Sequence, residues 1–401
     1  MRGRLAGLHP YQFDGVASTA LIERAQILAF RLASHHLIER LGPRSVVKAA
    51  AACGIQETPT GSAALALAAR VDGVVPASLD RALRRGRTLV HLWSLRGAPH
   101  VVPARDIATF TGGATPIDRA SFDAFLGGWA RPIADAGLDP FDLLDRMASA
   151  ARSLLDGRTL DVNELRDAVL RRVRSLGRIT RPKEASHDMP ETLFRALGLT
   201  GAVCIVEGRG TDSVLARTDQ WLTHERPRTD PDAARAELVR RFLHCYGPST
   251  PERFAQWTGR SPKDAKAAFA LIEDELVEVA LGGKERAWLL DADRTALESP
   301  PSPSGARLLP VRDPYLQQRD RATLLPNASA WRTVWQPVSG PGAVLADGEI
   351  VGTWRSRLDR SRLRVEIDPF GRLPPGLRDE IDAEAERVAQ ARGTEAAVVP
   401  W

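Results

Sequence analysis

One pattern constrains this chain more than any other: three helices followed by a short hairpin, met more than once. The clearest copy runs from Pro231 to Asp291. "DAARAELVRRFLHCYG" places Ala234, Leu238, Phe242 and Leu243 on one helical stripe, and Gly247 ends it. "STPERFAQWTG" follows, with Ser249 or Thr250 as cap, Pro251 in the first turn and Gly259 as stop. "SPKDAKAAFALIEDEL" opens with Ser261 as N-cap, Pro262 next, and Asp264 in the first turn, where a carboxylate suits the helix dipole. "VEVAL-GGKER-AWLLD" then reads as two strands around a Gly-Gly turn. Such an order describes a winged helix, a helix-turn-helix variant.

The same order recurs at 140–218. "FDLLDRMASAARSLL", "DVNELRDAVLRRV" (Asp161 as cap) and "MPETLFRALGLTG" are its helices, and "AVCIVEG-RGTD-SVLART" is its hairpin. A looser copy opens the chain. "STALIERAQILAFRLASHHLIERLG" reads as one long helix, "PRSVVKAAAACG" and "GSAALALAARVDG" as two shorter ones, and "TLVHLWSL-RGA-PHVVPA" as a hairpin. The Pro- and Ser-rich "ESPPSPSG" (298–305) is a linker to a smaller unit. There, "AVLADGEIVGTW" is a hairpin turning at Asp347-Gly348, "RLRVEIDPFG" a further strand, and "PPGLRDEIDAEAERVAQARG" a helix. The expected fold is mainly α with small β-hairpins, an α+β class of tandem winged helices plus a C-terminal α+β cap. Its units are 1–135, 136–228, 229–297 and 306–401.

Tandem winged helices suit a long polyanion. Composition is compatible: 401 residues carry a net charge of +5, and only five of the 55 basic residues are lysine, the rest being arginine. Arginine makes bidentate contacts to phosphate and guanine. No apolar run is long enough for a transmembrane helix, and the N-terminus lacks a signal-peptide core, so no membrane partner and a cytoplasmic, nucleoid-associated location are expected. Cys53, Cys204 and Cys245 are far apart and outside any CxxC or Cys/His cluster, so they read as buried small hydrophobes. His35-His36 have no nearby third ligand in sequence, and no metal site is expected. No P-loop, HExxH, GxSxG or dinucleotide-binding context occurs.

Four segments resemble the AlkZ/YcaQ-like family of winged-helix DNA glycosylases. Gly54-Ile55-Gln56 sits where that family carries G-[LI]-Q-x-[QD]. "SLRGAPHVVPARDI" (94–107) is similar to its R-G-T-x-H-x-V segment. "LLPVRDPYLQQRDRATLLP" (308–326) is similar to L-L-P-x-x-D-x-x-L-x-x-x-x-x-R, and "DGEIVGTWR" (347–355) to D-G-x-x-x-G-x-W. The resemblance implies a concave DNA-binding surface and removal of alkylated or crosslinked purines from double-stranded DNA, in repair or self-resistance; no metal or cofactor is expected, and a monomer is. Two positions depart from the family: Thr58 stands at its second catalytic Gln or Asp, and Ala98 at its Thr.

An N-alkylated purine is already cationic and leaves readily, so the enzyme needs chiefly to place a water beside an oxocarbenium-like sugar. Residues two apart on an extended segment face the same side. Gln56 and Thr58 are therefore candidate catalytic residues, with Glu57 a third if the loop turns at Pro59. Candidate DNA contacts are Arg96 and His100 around the first hairpin turn, Arg178, Arg181 and Lys183 in the second unit, and the wing cations Arg209 and Lys284. Asp313 serves as a structural cap or in catalysis, and Trp354 packs in the core. No lysine lies in the 54–59 loop for Schiff-base chemistry, which favours a monofunctional glycosylase. The alternatives are a non-catalytic winged-helix DNA-binding protein, for damage recognition or regulation, and a protein-interaction scaffold.

Overall fold

The computed structural model describes residues 22–179, 189–208, 212–222, 229–281, 285–359, 362–373 and 376–398. It is mainly helical with small sheets, the α+β class expected. The first helix, α1 (Arg24–Ser34), is shorter than its apolar pattern suggests. His36 takes a left-handed conformation (φ 55°), and the Leu37 amide turns back to the Leu32 carbonyl. Leu37 thereby joins the cluster that Leu28 and Leu32 of α1 already occupy, with Leu309 and Tyr315. Helices α2 (Val46–Ala51) and α3 (Ser62–Ala68) flank the short strand β1 (Ile55–Gln56).

β2 (Leu89–Trp93) and β3 (Pro99–Pro103) form the first hairpin. They belong to one six-stranded sheet with β4 (Leu160–Asp161), β5 (Val203–Glu207) and β6 (Val214–Arg217), in the order β1-β3-β2-β5-β6-β4. The second hairpin thus continues the first, and α4 (Pro140–Leu154), α5 (Val162–Arg172) and α6 (Met189–Leu199) pack beside it. Asp161 caps α5 by accepting from the Asn163 amide at 2.8 Å.

Helices α7 (Pro231–Tyr246), α8 (Pro251–Thr258) and α9 (Pro262–Ala270) come next, then the two-stranded hairpin of β7 (Leu276–Leu281) and β8 (Glu285–Leu290). Of the two cap candidates, Thr250 caps α8 and Ser261 caps α9, while Gly259 ends α8 at φ 79°.

A five-stranded sheet, ordered β13-β12-β11-β10-β9, closes the chain. It comprises β9 (Ala306–Leu309), β10 (Gly342–Ala346), β11 (Glu349–Asp359), β12 (Arg362–Pro369) and β13 (Glu395–Val398), with α10 (Leu377–Arg392) packed on it. Asp347 and Gly348 both have positive φ, as the tight turn between β10 and β11 demands. Only β13 adds in parallel, to β12. This sheet shares one core with α2 and α3: Ala50, Ala63 and Leu67 lie with Leu308, Leu363 and Ile381. Helices α2 and α3 and the C-terminal sheet therefore share the core to which Ile55 of β1 contributes. Trp354 is buried there and donates to the Leu309 carbonyl at 2.8 Å. Among the described residues no helix is long and apolar enough to cross a membrane.

Candidate active site

β1 pairs antiparallel with β3, placing Gln56 directly opposite His100 and Ile55 opposite Val101. Side chains alternate between the faces of a sheet, so Gln56 and His100 share one face and Glu57 starts on the other. The main chain of Gln56 is held by the Ser62 hydroxyl, which donates to its carbonyl at 3.0 Å. The Glu57 amide continues the pairing to the Pro99 carbonyl at 2.8 Å. The Glu57 carboxylate accepts from the amides of Gly61 and Ala63, each at 2.7 Å. These are donors at the start of α3 that the helix itself leaves unpaired, so Glu57 closes the loop onto its own helix. Thr58 is half-buried, and its hydroxyl makes no hydrogen bond among the described residues.

The partner of Gln56 comes from far along the chain. Gln317 donates from Nε2 to Gln56 Oε1 at 3.1 Å and to the Arg312 carbonyl at 3.1 Å. Its Oε1 accepts from Arg96 at 3.0 Å. Arg96, left-handed at φ 54°, also donates to the carbonyl of Trp257, in the last turn of α8, where a cation meets the negative helix end. Burial, with Arg319 nearby, pulls the Arg96 guanidinium down to about 10.

Two buried ion pairs fix the segment carrying Gln317. Arg70 grips Asp313 through both carboxylate oxygens, at 2.8 and 2.7 Å. Arg31 reaches Asp320 at 2.6 Å and Gln318 at 2.7 Å. Between them, the Tyr246 hydroxyl donates to the Pro314 carbonyl at 2.9 Å. Gln317 is thus bracketed by anchors on both sides. His100 is buried, and its Nδ1 lies 2.8 Å from the Ala98 carbonyl, which selects the tautomer with the proton on Nδ1. Burial pulls this imidazole down to about 3, so at neutral pH it is uncharged and Nε2 carries a lone pair.

A family model described as "DNA glycosylase AlkZ-like" matches residues 49–391. The chain belongs to the AlkZ-like DNA glycosylase family. Among curated proteins it is similar to the interstrand DNA cross-link repair glycosylase of Streptomyces sahachiroi, at 25% identity over 384 residues covering 92% of this chain and 96% of that protein. Among solved structures it is similar to the DNA glycosylase AlkZ of Streptomyces sahachiroi, with a TM-score of 0.73 and 24% identity, covering 95% of this chain and 100% of that one.

Within this AlkZ-like fold the residues singled out in the sequence fall into distinct groups. Gln56, His100 and Arg96 come together. Glu57 lies beside them in sequence, but its carboxylate is turned to the α3 amides. Asp313 is paired with Arg70, and its Oδ1 caps the following turn by accepting from the Tyr315 amide at 2.9 Å. Arg178 is exposed at the end of the turn Arg174–Arg178. Arg181, Lys183, Arg209 and Lys284 lie outside the described residues. Gln317 was not singled out, although it stands in the "LLPVRDPYLQQRDR" segment. Its signal was the family-like Asp313 four residues earlier, which in this AlkZ-like chain anchors the segment.

Proposed function

We propose that this chain is a monofunctional DNA glycosylase that hydrolyses the N-glycosidic bond of alkylated or crosslinked purines in double-stranded DNA. It acts as a monomer, without cofactor, in the cytoplasm at the nucleoid. The observation that carries this reading is the oriented Gln56 carboxamide, pinned by Gln317 and facing the same side as the neutral His100. Kinship with a protein named as an interstrand cross-link repair glycosylase supports the lesion class.

The chemistry follows from the lone pairs. One lone pair of Gln56 Oε1 is used by Gln317, and a second remains for a water hydrogen. His100 Nε2 offers another acceptor on that face. A water donating to acceptors there turns its own lone pair outward, toward C1′ of the sugar. The departing cationic base takes the bonding electrons and leaves neutral, and the attacking water then releases its proton to solvent. No strong base is required, so Thr58 in place of an acid or amide is tolerable: its hydroxyl is a further water contact. Glu57 shapes the loop by holding the start of α3. In the same reading the units 136–228 and 229–297 and the basic loops, Arg178 included, grip phosphates along the duplex.

The test is release of base from duplexes carrying 7-methylguanine or an interstrand crosslink, measured as abasic sites. Gln56→Ala is expected to slow release by about 10²–10³-fold, the range for loss of one oriented group at the reacting centre, with DNA affinity kept. Duplex binding with no release from any alkylated substrate would move the protein to the non-catalytic DNA-binding reading. No duplex binding at low salt would remove both.

A further inference from the structure

Directly behind the Gln56 strand lies a polar cluster that base release does not use. Cys53 precedes Gly54, Cys245 stands near the end of α7, and His35 follows α1. One ligand atom from each lies within 4.8 Å of the others. All three residues are buried, His35 and Cys245 completely, and both cysteines are free thiols. Neither ring nitrogen of His35 makes a hydrogen bond of ordinary geometry among the described residues, and the ring interacts with the Cys53 thiol. The ring cannot swing out to water, because Tyr246 and Tyr315 stand against it with centroids 5.2 and 5.5 Å away. A buried polar group without a partner costs about 1–3 kcal/mol, so a dry imidazole aimed at two thiols calls for an explanation.

We propose that His35, Cys53 and Cys245 bind one soft divalent cation of the zinc type. Two Sγ–H protons leave to solvent as two metal–sulfur bonds form, and His35 adds a nitrogen lone pair. Two thiolates balance a doubly charged ion, leaving the buried site neutral, as a dry interior requires. Thiolate and imidazole donors select zinc-like ions over magnesium or calcium. Tetrahedral zinc sets sulfur atoms about 3.8 Å apart, so the side chains need only draw in by about 1 Å. The Tyr246 hydroxyl, 3.4 Å from Cys53 Sγ, borders the fourth position. A Cys53–Cys245 disulfide would remove the thiols but leave the imidazole unpaired; a metal satisfies all three groups. Bound there, the ion ties α1 and α7 to the segment entering β1, and so acts as a positioning device for Gln56 rather than a participant in hydrolysis.

The full-length protein, prepared without a metal-affinity tag or chelator, should contain one zinc per chain by elemental analysis. After stripping under reducing conditions it should rebind one Zn²⁺ or one Co²⁺, the cobalt form showing thiolate-to-metal charge transfer and the intense visible bands of a tetrahedral site. Cys53→Ser and Cys245→Ser should each lose stoichiometric binding. Cys204→Ser should keep it, because Cys204 lies elsewhere, beside the Ala216 carbonyl. Absence of metal both as isolated and after reconstitution, a cobalt spectrum without thiolate bands, undiminished binding in the Cys53 and Cys245 variants, or a Cys53–Cys245 disulfide in the isolated protein would each overturn the proposal. If the variants fail to fold, the wild-type cobalt spectrum decides alone.

Discussion

The first and third hairpins carry the same sequence signature, yet they occupy opposite environments. β2 and β3 are almost wholly buried and continue into the six-stranded sheet. Their tip arginine, Arg96, turns inward onto Trp257 and Gln317. β7 and β8 form a two-stranded sheet joined to the rest only by single bridges to Ile22 and Ser249 among the described residues; β7 is mostly half-exposed and β8 is exposed at its start and buried at its end. Arg286 on β8 is 80% exposed and, among the described residues, paired with Glu278 at 3.2 Å. A cation on a hairpin therefore has two different uses: in the first hairpin it organises polar groups beside Gln56, and in the third it faces solvent, where a phosphate could reach it.

The largest effect expected from this contrast is at the inward tip. Arg96→Ala removes the donor to Gln317 Oε1 and to the Trp257 carbonyl, so Gln317 loses its grip on Gln56. Base release should fall by about 10–100-fold, because a displaced positioning group costs that order even without contact to substrate. DNA affinity and its salt dependence should not change. Gln317→Ala should give a similar loss, and the double variant little more, since the two residues act in series. If Arg96→Ala instead weakened binding uniformly and lowered the salt slope by about one, the first tip would be a phosphate contact like an exposed wing.

How much of this contrast could be read from the sequence depends on the range of the interaction. Caps at Asp161 and Ser261, Thr250 as one of the two candidates for its helix, the glycine stop at Gly259 and the Asp347-Gly348 turn are settled by residues within a few positions of one another, and they appear in the structure. The end of α1 does not, because Leu37 and Leu41 prolong the helical stripe, while the chain turns at His36 and folds Leu37 back beside Leu32 in the same cluster. Gln56 was legible as a candidate. Its partner Gln317 was not, since 261 residues separate the two. For the same reason His35, Cys53 and Cys245 read as isolated residues until the fold brought them together. The orientation of Glu57 hinged on one-residue alternation along β1, which only the pairing with β3 fixes.

The second expected effect is a difference in the sign of pH dependence. His100, in the first hairpin, is pulled down to about 3 by burial. Below about pH 6.5 the unfolded chain takes a proton that the folded one refuses, so stability falls as pH drops through this window. The slope from this residue is about 1.4 kcal/mol per pH unit, and His36, pulled down to about 4 chiefly by burial, adds the same sign. Beside the third hairpin, His244 shares its Nδ1 with the Asp293 carboxylate at 3.0 Å and is raised by that bond. Its contribution is full below about pH 6.5 and is lost as pH rises through the raised value. Urea unfolding across acid, neutral and alkaline pH should show His100→Gln flattening the acid limb and His244→Gln flattening the alkaline limb. Matching pH profiles for the two variants would erase the contrast between the hairpins.

The smallest effect is expected at the outward hairpin, where the comparison is most exposed to failure. Arg286→Ala removes a surface pair worth about 0–1 kcal/mol, so thermal stability should barely move. Release of base from bound DNA should also be unchanged, because among the described residues no hydrogen bond or ion pair links Arg286 to Gln56. What remains is its charge. If the third hairpin meets the duplex, losing one phosphate contact should lower the slope of log affinity against log salt by about one and weaken binding equally for damaged and undamaged duplexes. A change in release rate at saturating DNA would mean that this hairpin, too, is coupled to the reacting centre, and the division of labour between the two would have to be abandoned.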